Sequence, residues 1–144
     1  MSGIREVSEK VVVAAEALAV WKKICEPCSI LEWNPSIAEC RSYTAKSGQI
    51  ARDYVLQPGG PDAPDMVETE LVRSEKLMMI TYMVESEDLA FDEYVAQILV
   101  TPRTGGGCEV EIRSRFYQTQ DDAEALVRGF YRHGLETLGD MMAA

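Results

Sequence analysis

Few side chains in this sequence have both the type and the spacing to do chemistry. Cys25-Glu26-Pro27-Cys28 is a Cys-x-x-Cys, the spacing of a redox pair or of half a zinc site. A redox pair wants its first thiol at a helix N-terminus, where the dipole lowers the thiol pKa. Cys25 instead closes a helical pattern, where the dipole has the opposite sign. Zinc would need Cys40 and Cys108, or His133, to converge on the pair, and neither shows paired spacing. The cysteines therefore read as buried or half-buried reduced thiols, with no metal and no cofactor expected. His133, the single histidine, is of a type that serves as general acid or base. No Ser, Cys or acid stands at a partnering position, so no catalytic set is assigned and His133 is left as the lone candidate.

A second group of polar residues sits among strand patterns. Ile50, Arg52, Tyr54 and Leu56 alternate with Gln49, Ala51, Asp53 and Val55. If the more apolar face is the inner one, Arg52 is inside and needs an acidic partner, because an unpaired buried charge is costly. Antiparallel pairing across the following loop would set Glu68 or Glu70 opposite Arg52. Yet those glutamates alternate with Val67, Thr69 and Leu71, and on pattern alone they look exposed. Arg52 and Glu68 thus fit either a polar anchor for a ligand head group or an internal ion pair. Tyr54, Tyr82 and Tyr94 each offer an apolar ring and a hydroxyl, suited to an amphipathic ligand or to a core position. Trp33 fits a cavity mouth or an anchor for a short helix.

The elements that would position these residues can be read along the chain. Residues 4–13 predict a strand, ending in three β-branched residues. Ala17, Val20, Trp21 and Ile24 fall on one helical face, and Pro27 ends that helix. A short second helix from Ser29 holds Ile30 and Trp33, with Pro35 closing it. Strands follow near 38–45, 49–57, 66–74, 77–86, 92–102 and 108–118. They are separated by Lys46-Ser47-Gly48, Pro58-Gly59-Gly60-Pro61, Ser74-Glu75-Lys76, Ser86-Glu87-Asp88 and Thr104-Gly105-Gly106-Gly107. The short connections imply antiparallel pairing. In the last strand Cys108, Val110, Ile112, Ser114 and Phe116 share the inner face, leaving Arg113 and Arg115 on a solvated one. A final helix of about 22 residues, roughly 33 Å long, is capped by Asp121 or Asp122. Ala123, Leu126, Val127, Phe130, Tyr131, Gly134, Leu138 and Met141 form its apolar stripe.

Seven strands make a sheet roughly 34 Å wide, whereas one helix is only about 10–12 Å across. The sheet must therefore curl around the helix, leaving a volume for side chains or a ligand to fill. Aromatic residues are only 8% of the chain, which fits a partly empty, mostly apolar interior.

Composition narrows the partners. A chain of 144 residues with 47% apolar and 26% charged residues is expected to form one globular domain, 1–144. No apolar run is long enough for a membrane span, and the N-terminus has no apolar leader core, so a cytoplasmic location is expected. With 24 acids against 14 bases, net charge −10, nucleic acid and anionic membrane surfaces are poor partners. A homodimer is left open.

Recognisable residues then meet this order of elements. Val20-Trp21 and Leu31-Glu32-Trp33-Asn34-Pro35 resemble the N-terminal helices of the SRPBCC (START-like, Bet v 1-like) superfamily, in its polyketide cyclase/dehydrase-like branch. Gly48, Arg52, Glu68, Ile80-Thr81-Tyr82, Tyr94, Val100-Thr101-Pro102 and Arg115-Phe116 continue the match, and Tyr131-Arg132-His133-Gly134-Leu135 resembles its closing helix. Glu26-Pro27 replaces the Asp-Phe often found after the first helix, and the Pro usual before the Tyr94 strand is missing. The resemblance implies an α+β helix-grip fold, with a seven-stranded antiparallel sheet wrapped on a long C-terminal helix. It also implies a hydrophobic cavity for a lipid, polyketide or aromatic compound. Trp33, Arg52, Tyr54, Glu68, Tyr82, Tyr94, Ile98, Ile112, Phe116, Phe130 and His133 are the residues expected to line it. Binding or transport of such a molecule is the expected function. The alternatives are a polyketide cyclase, aromatase or dehydratase, and a module that modulates a partner protein.

Overall fold

A computed structural model describes residues 3–57, 65–86 and 91–143. The expected loop at 58–61 and residues 87–88 of the acidic turn lie outside the described residues. The chain runs β1 (Gly3–Val13), α1 (Ala17–Cys25), α2 (Ile30–Trp33), β2 (Ile37–Thr44), β3 (Ile50–Leu56), β4 (Met66–Ser74), β5 (Met79–Glu85), β6 (Phe91–Pro102), β7 (Cys108–Gln118) and α3 (Ala123–Met142). The strands form one antiparallel sheet in the order β1-β7-β6-β5-β4-β3-β2. From β2 onward each strand pairs with its sequence neighbour, as short turns dictate. Because β1 pairs with β7, α1 and α2 must carry the chain across to the opposite edge at β2. The sheet curves about α3, which packs on β1 and β7 and meets α2, giving the helix-grip arrangement.

Alternation sets the inner face where the sequence is cleanly patterned. In β7 every second residue from Cys108 to Gln118 is buried. In α1 the buried residues are Ala17, Val20, Trp21 and Ile24, and Trp21 Nε1 donates to Glu75 Oε2 at 2.6 Å. That bond ties α1 to the β4–β5 turn. In α3 the inner stripe is Ala123, Val127, Tyr131, Gly134, Leu135 and Leu138, while Leu126 is 58% exposed. Gly134 allows the close approach of α2: a Cβ there would lie 2.8 Å from Asn34 Nδ2 and 3.3 Å from Trp33 Cζ3.

Two expectations are corrected, and one open conflict is resolved. Asp122 holds the N-cap position of α3 without a side-chain capping bond; the Gln118 side chain instead accepts from the Glu124 amide at 3.3 Å. Cys28 and Cys40 are joined in a disulfide, so only Cys25 and Cys108 are free thiols. The bond staples the turn before α2 to β2, and such bonds persist mainly in oxidising compartments.

The conflict left open by the sequence pattern lies in β4. Met66, Glu68 and Glu70 are buried, whereas Leu71 and Val72 are exposed beside a register shift at Glu70/Val72. The glutamates point inward because Arg52 on β3 pairs directly with Glu68 in the ladder and needs their charge. A matched ion cluster overrides the apolar-inside pattern.

Candidate functional site

The inner side chains of β3 to β6, with α2 and α3 above them, border two spaces that share part of their lining. The larger is about 290 Å³ and is lined chiefly by apolar groups, among them Leu56, Met66, Val84, Phe91, Val127 and Phe130. The smaller, about 60 Å³, lies against Arg52, Ile98, Ile112 and Trp33. Ile30, Tyr54, Glu68, Tyr82, Phe130 and Tyr131 border both. The larger space sits at the small end of the roughly 300–1,000 Å³ that ligand sites occupy. Half-buried Phe130 and exposed Leu126 flank it from α3, and half-buried Ile30 from α2. Phe91, Tyr94 and Phe116 form an aromatic floor, with the Tyr94 and Phe116 rings stacked at 5.5 Å.

One wall of this otherwise apolar region is an ion cluster. Arg52 Nη1 donates to Glu68 Oε2 at 3.1 Å and Arg52 Nη2 to Glu70 Oε2 at 2.5 Å. Arg73 donates to both oxygens of Glu70, at 3.0 and 2.7 Å. Tyr54 donates its hydroxyl to Glu68 Oε2 at 2.5 Å. Among the described residues nothing hydrogen-bonds Glu68 Oε1. Two arginines and two glutamates cancel, which is how four charges are tolerated at this depth.

Burial pushes the Glu68 carboxyl above the ordinary glutamate range, with Arg52 and Tyr54 holding part of that rise back. Burial acts on Glu70 the same way, but the hydrogen bonds from Arg73 and Arg52 outweigh it and leave its carboxyl below that range. Arg52 is desolvated, yet Glu68, Tyr54 and Glu70 more than compensate and keep it charged. Tyr54, Tyr82 and Tyr94 are all raised by burial first, with the nearby Glu68 carboxylate adding to it, so each stays a neutral hydroxyl.

Of the residues expected from the sequence, Tyr54, Glu68, Tyr82 and Phe130 border both spaces. Tyr94 borders the larger, and Trp33, Arg52, Ile98 and Ile112 the smaller. Phe116 is buried and borders neither; it packs under Tyr94. His133 is corrected outright: it is exposed on the outer side of α3, because it falls between Tyr131 and Gly134, which take the inward positions. It has no route to a group held inside. Sequence reading missed Tyr131 as a polar group. The residue is 3% exposed, borders both spaces, and its hydroxyl has no hydrogen-bond partner among the described residues. An unmet buried hydroxyl costs about 1–3 kcal/mol. Its place on the inner stripe of α3, four residues after Val127, was the available signal. Arg73, which donates to Glu70, was likewise missed, whereas Glu70 was among the partners weighed for Arg52.

Among the described residues no group of three or more His, Cys, Asp or Glu side chains could hold a metal ion. No helix there is long and apolar enough to cross a membrane.

Comparison with known proteins agrees with this architecture. An uncharacterized protein of Bacillus thuringiensis superposes with TM-score 0.82 at 22% identity, over 97% of this chain and all of that one. The Bacillus cereus protein XoxI gives TM-score 0.81 at 21% identity, over 95% and 94%. Norcoclaurine synthase of Thalictrum flavum, solved as a point mutant with a transition-state analogue, gives 0.71 at 13%, over 99% and 96%. At these identities the likeness is one of fold. No curated protein matches the sequence. The family model described as polyketide cyclase / dehydrase and lipid transport matches residues 5–142. With nearly the whole chain matched, this protein belongs to that family.

Proposed function

We propose that the protein, acting as one unit over residues 1–144, binds an amphipathic small molecule between the sheet and α3. The observation that carries this is the 290 Å³ apolar space ending on the tyrosines and Glu68. Such a space holds a ligand's apolar body and leaves a few polar groups to fix its orientation. The family description, which covers both cyclase-type and lipid-transport members, supports a ligand-holding module. Binding is preferred to cyclase or dehydratase chemistry because the acid/base candidate, His133, faces outward. It is preferred to a purely partner-modulating role because side chains do not fill the hollow.

A thermal-shift series with lipids, flavonoids and polyketide-like aromatics tests the proposal. A ligand at a hundredfold excess over Kd should add about 2.7 kcal/mol. Val127→Phe, which adds bulk inside the larger space, should keep the fold and abolish the shift. If no apolar compound shifts the wild type, or Val127→Phe responds equally, binding in this space is wrong.

A further inference from the structure

The Cys28–Cys40 bond is built into the wall of the site. Cys28 borders the smaller space. Cys40 stands opposite Tyr54 in the β2–β3 ladder, so the two side chains share the inner face of the sheet. Tyr54 borders both spaces, and so does Ile30, two residues beyond Cys28. Neither half of the cystine is sealed in: both residues are half-buried, and β2 is an edge strand. The bond therefore lies where a thiol from solution can approach it.

The other polar ties on α2 are weak. At four residues it is too short to persist as a helix without tertiary support. Ser29 Oγ donates to the Ile24 carbonyl and Asn34 Nδ2 to the Phe130 carbonyl, both at 3.4 Å, longer than a well-formed hydrogen bond. The Lys23–Glu32 ion pair, at 3.2 Å, lies on the surface, where such pairs contribute little. Cys28 itself has φ +55°, a left-handed conformation that a residue other than glycine keeps only when its surroundings hold it there. Opening the bond removes the covalent part of that hold, at the turn that leads into Ile30 and Trp33.

We propose that Cys28–Cys40 is a reducible latch: a dithiol opens it, α2 loosens from β2, and the molecule held under α2 is released. One thiolate of the dithiol bonds to a cystine sulfur and expels the other as a thiolate. The second thiol then displaces the first, leaving Cys28 and Cys40 as thiols and the dithiol as a disulfide. Release rests on the binding reading above; the loosening of α2 does not. Hydrogen exchange and naphthalene fluorescence titration, each with and without dithiothreitol, test the two halves separately. On reduction the amides of Leu31, Glu32 and Asn34 should exchange about tenfold faster, and naphthalene should bind about tenfold more weakly. Cys40→Ser should match the reduced wild type with or without dithiothreitol. Equal α2 exchange in both redox states overturns the latch, as does loss of the whole fold on reduction, read by circular dichroism. Faster exchange with unchanged naphthalene affinity overturns release and leaves the cavity reading intact. Naphthalene bound in neither state overturns the binding reading and release together, while exchange still decides the latch. The wild-type comparison suffices if Cys40→Ser does not fold.

Discussion

Glu68 and Glu70 stand two residues apart on one strand and share Arg52, yet burial and bonding push their acidities in opposite directions. The two should therefore leave opposite marks on stability against pH. Glu70 is held low in the folded state, so its contribution is present above the unfolded glutamate value of about 4.3 and is lost as pH falls below it. Glu68 is held high, so its contribution is present at acid pH and is lost as pH rises through its folded value. Glu70→Gln should cost roughly 3 kcal/mol at neutral pH and flatten the acid limb of a denaturant-midpoint profile. Glu68→Gln should gain on the wild type between acid and neutral pH; parallel profiles for both variants would refute this account of the cluster. Much of this chemistry was hidden in the sequence. Arg52 announced itself as an inward cation, but Glu68 and Glu70 alternate with more apolar neighbours, and only the Arg52–Glu68 ladder pairing explains why the polar face turned in. Tyr131 was visible as a member of an apolar stripe; that its hydroxyl would lack a partner depends on side chains from other strands, which no local pattern encodes.

Among the elements, the short helix α2 connects sequence to site most tightly. Ile30 and Trp33 border the two spaces, the Cys28–Cys40 bond fixes its leading turn to β2, and Asn34 fixes its trailing end. Asn34 accepts from the Ser36 amide and donates to the Phe130 carbonyl on α3, at 3.0 and 3.4 Å. Gly134 sits under this joint. Gly134→Ala would drive a methyl group into Asn34 and Trp33, neither of which has free room. Overpacking of this kind typically costs about 1–3 kcal/mol. The variant should lose that stability in urea unfolding and weaken ligand binding, since α2 must shift; an unchanged midpoint would mean the joint is loose. The elements themselves were largely legible, because period-2 strands and a long 3.6-period stripe are strong local signals. Their trimming was less so: β5 begins at Met79 rather than 77, although α3 begins at Ala123, directly after Asp122, as its sequence indicates. The disulfide was missed because Cys28 and Cys40 meet only when α2 folds back on β2.

For the molecule as a whole, a sheet too wide for its single long helix must close around it, and the closure leaves space that the chain's few aromatics do not fill. That mismatch was readable from the order of elements alone, and the family match over residues 5–142 fits it. What width and helix count could not supply is the polarity of the inner wall, which depends on inward-turned β4. The claim that this interior space takes up an apolar molecule is tested most directly by methyl-labelled NMR during titration with naphthalene. Resonances of Leu56, Val84 and Val127, which border the larger space, should shift together and saturate, while exposed Val12, Val72 and Leu77 stay still. Shifts confined to the exposed methyls, or none at saturating probe, would contradict the account.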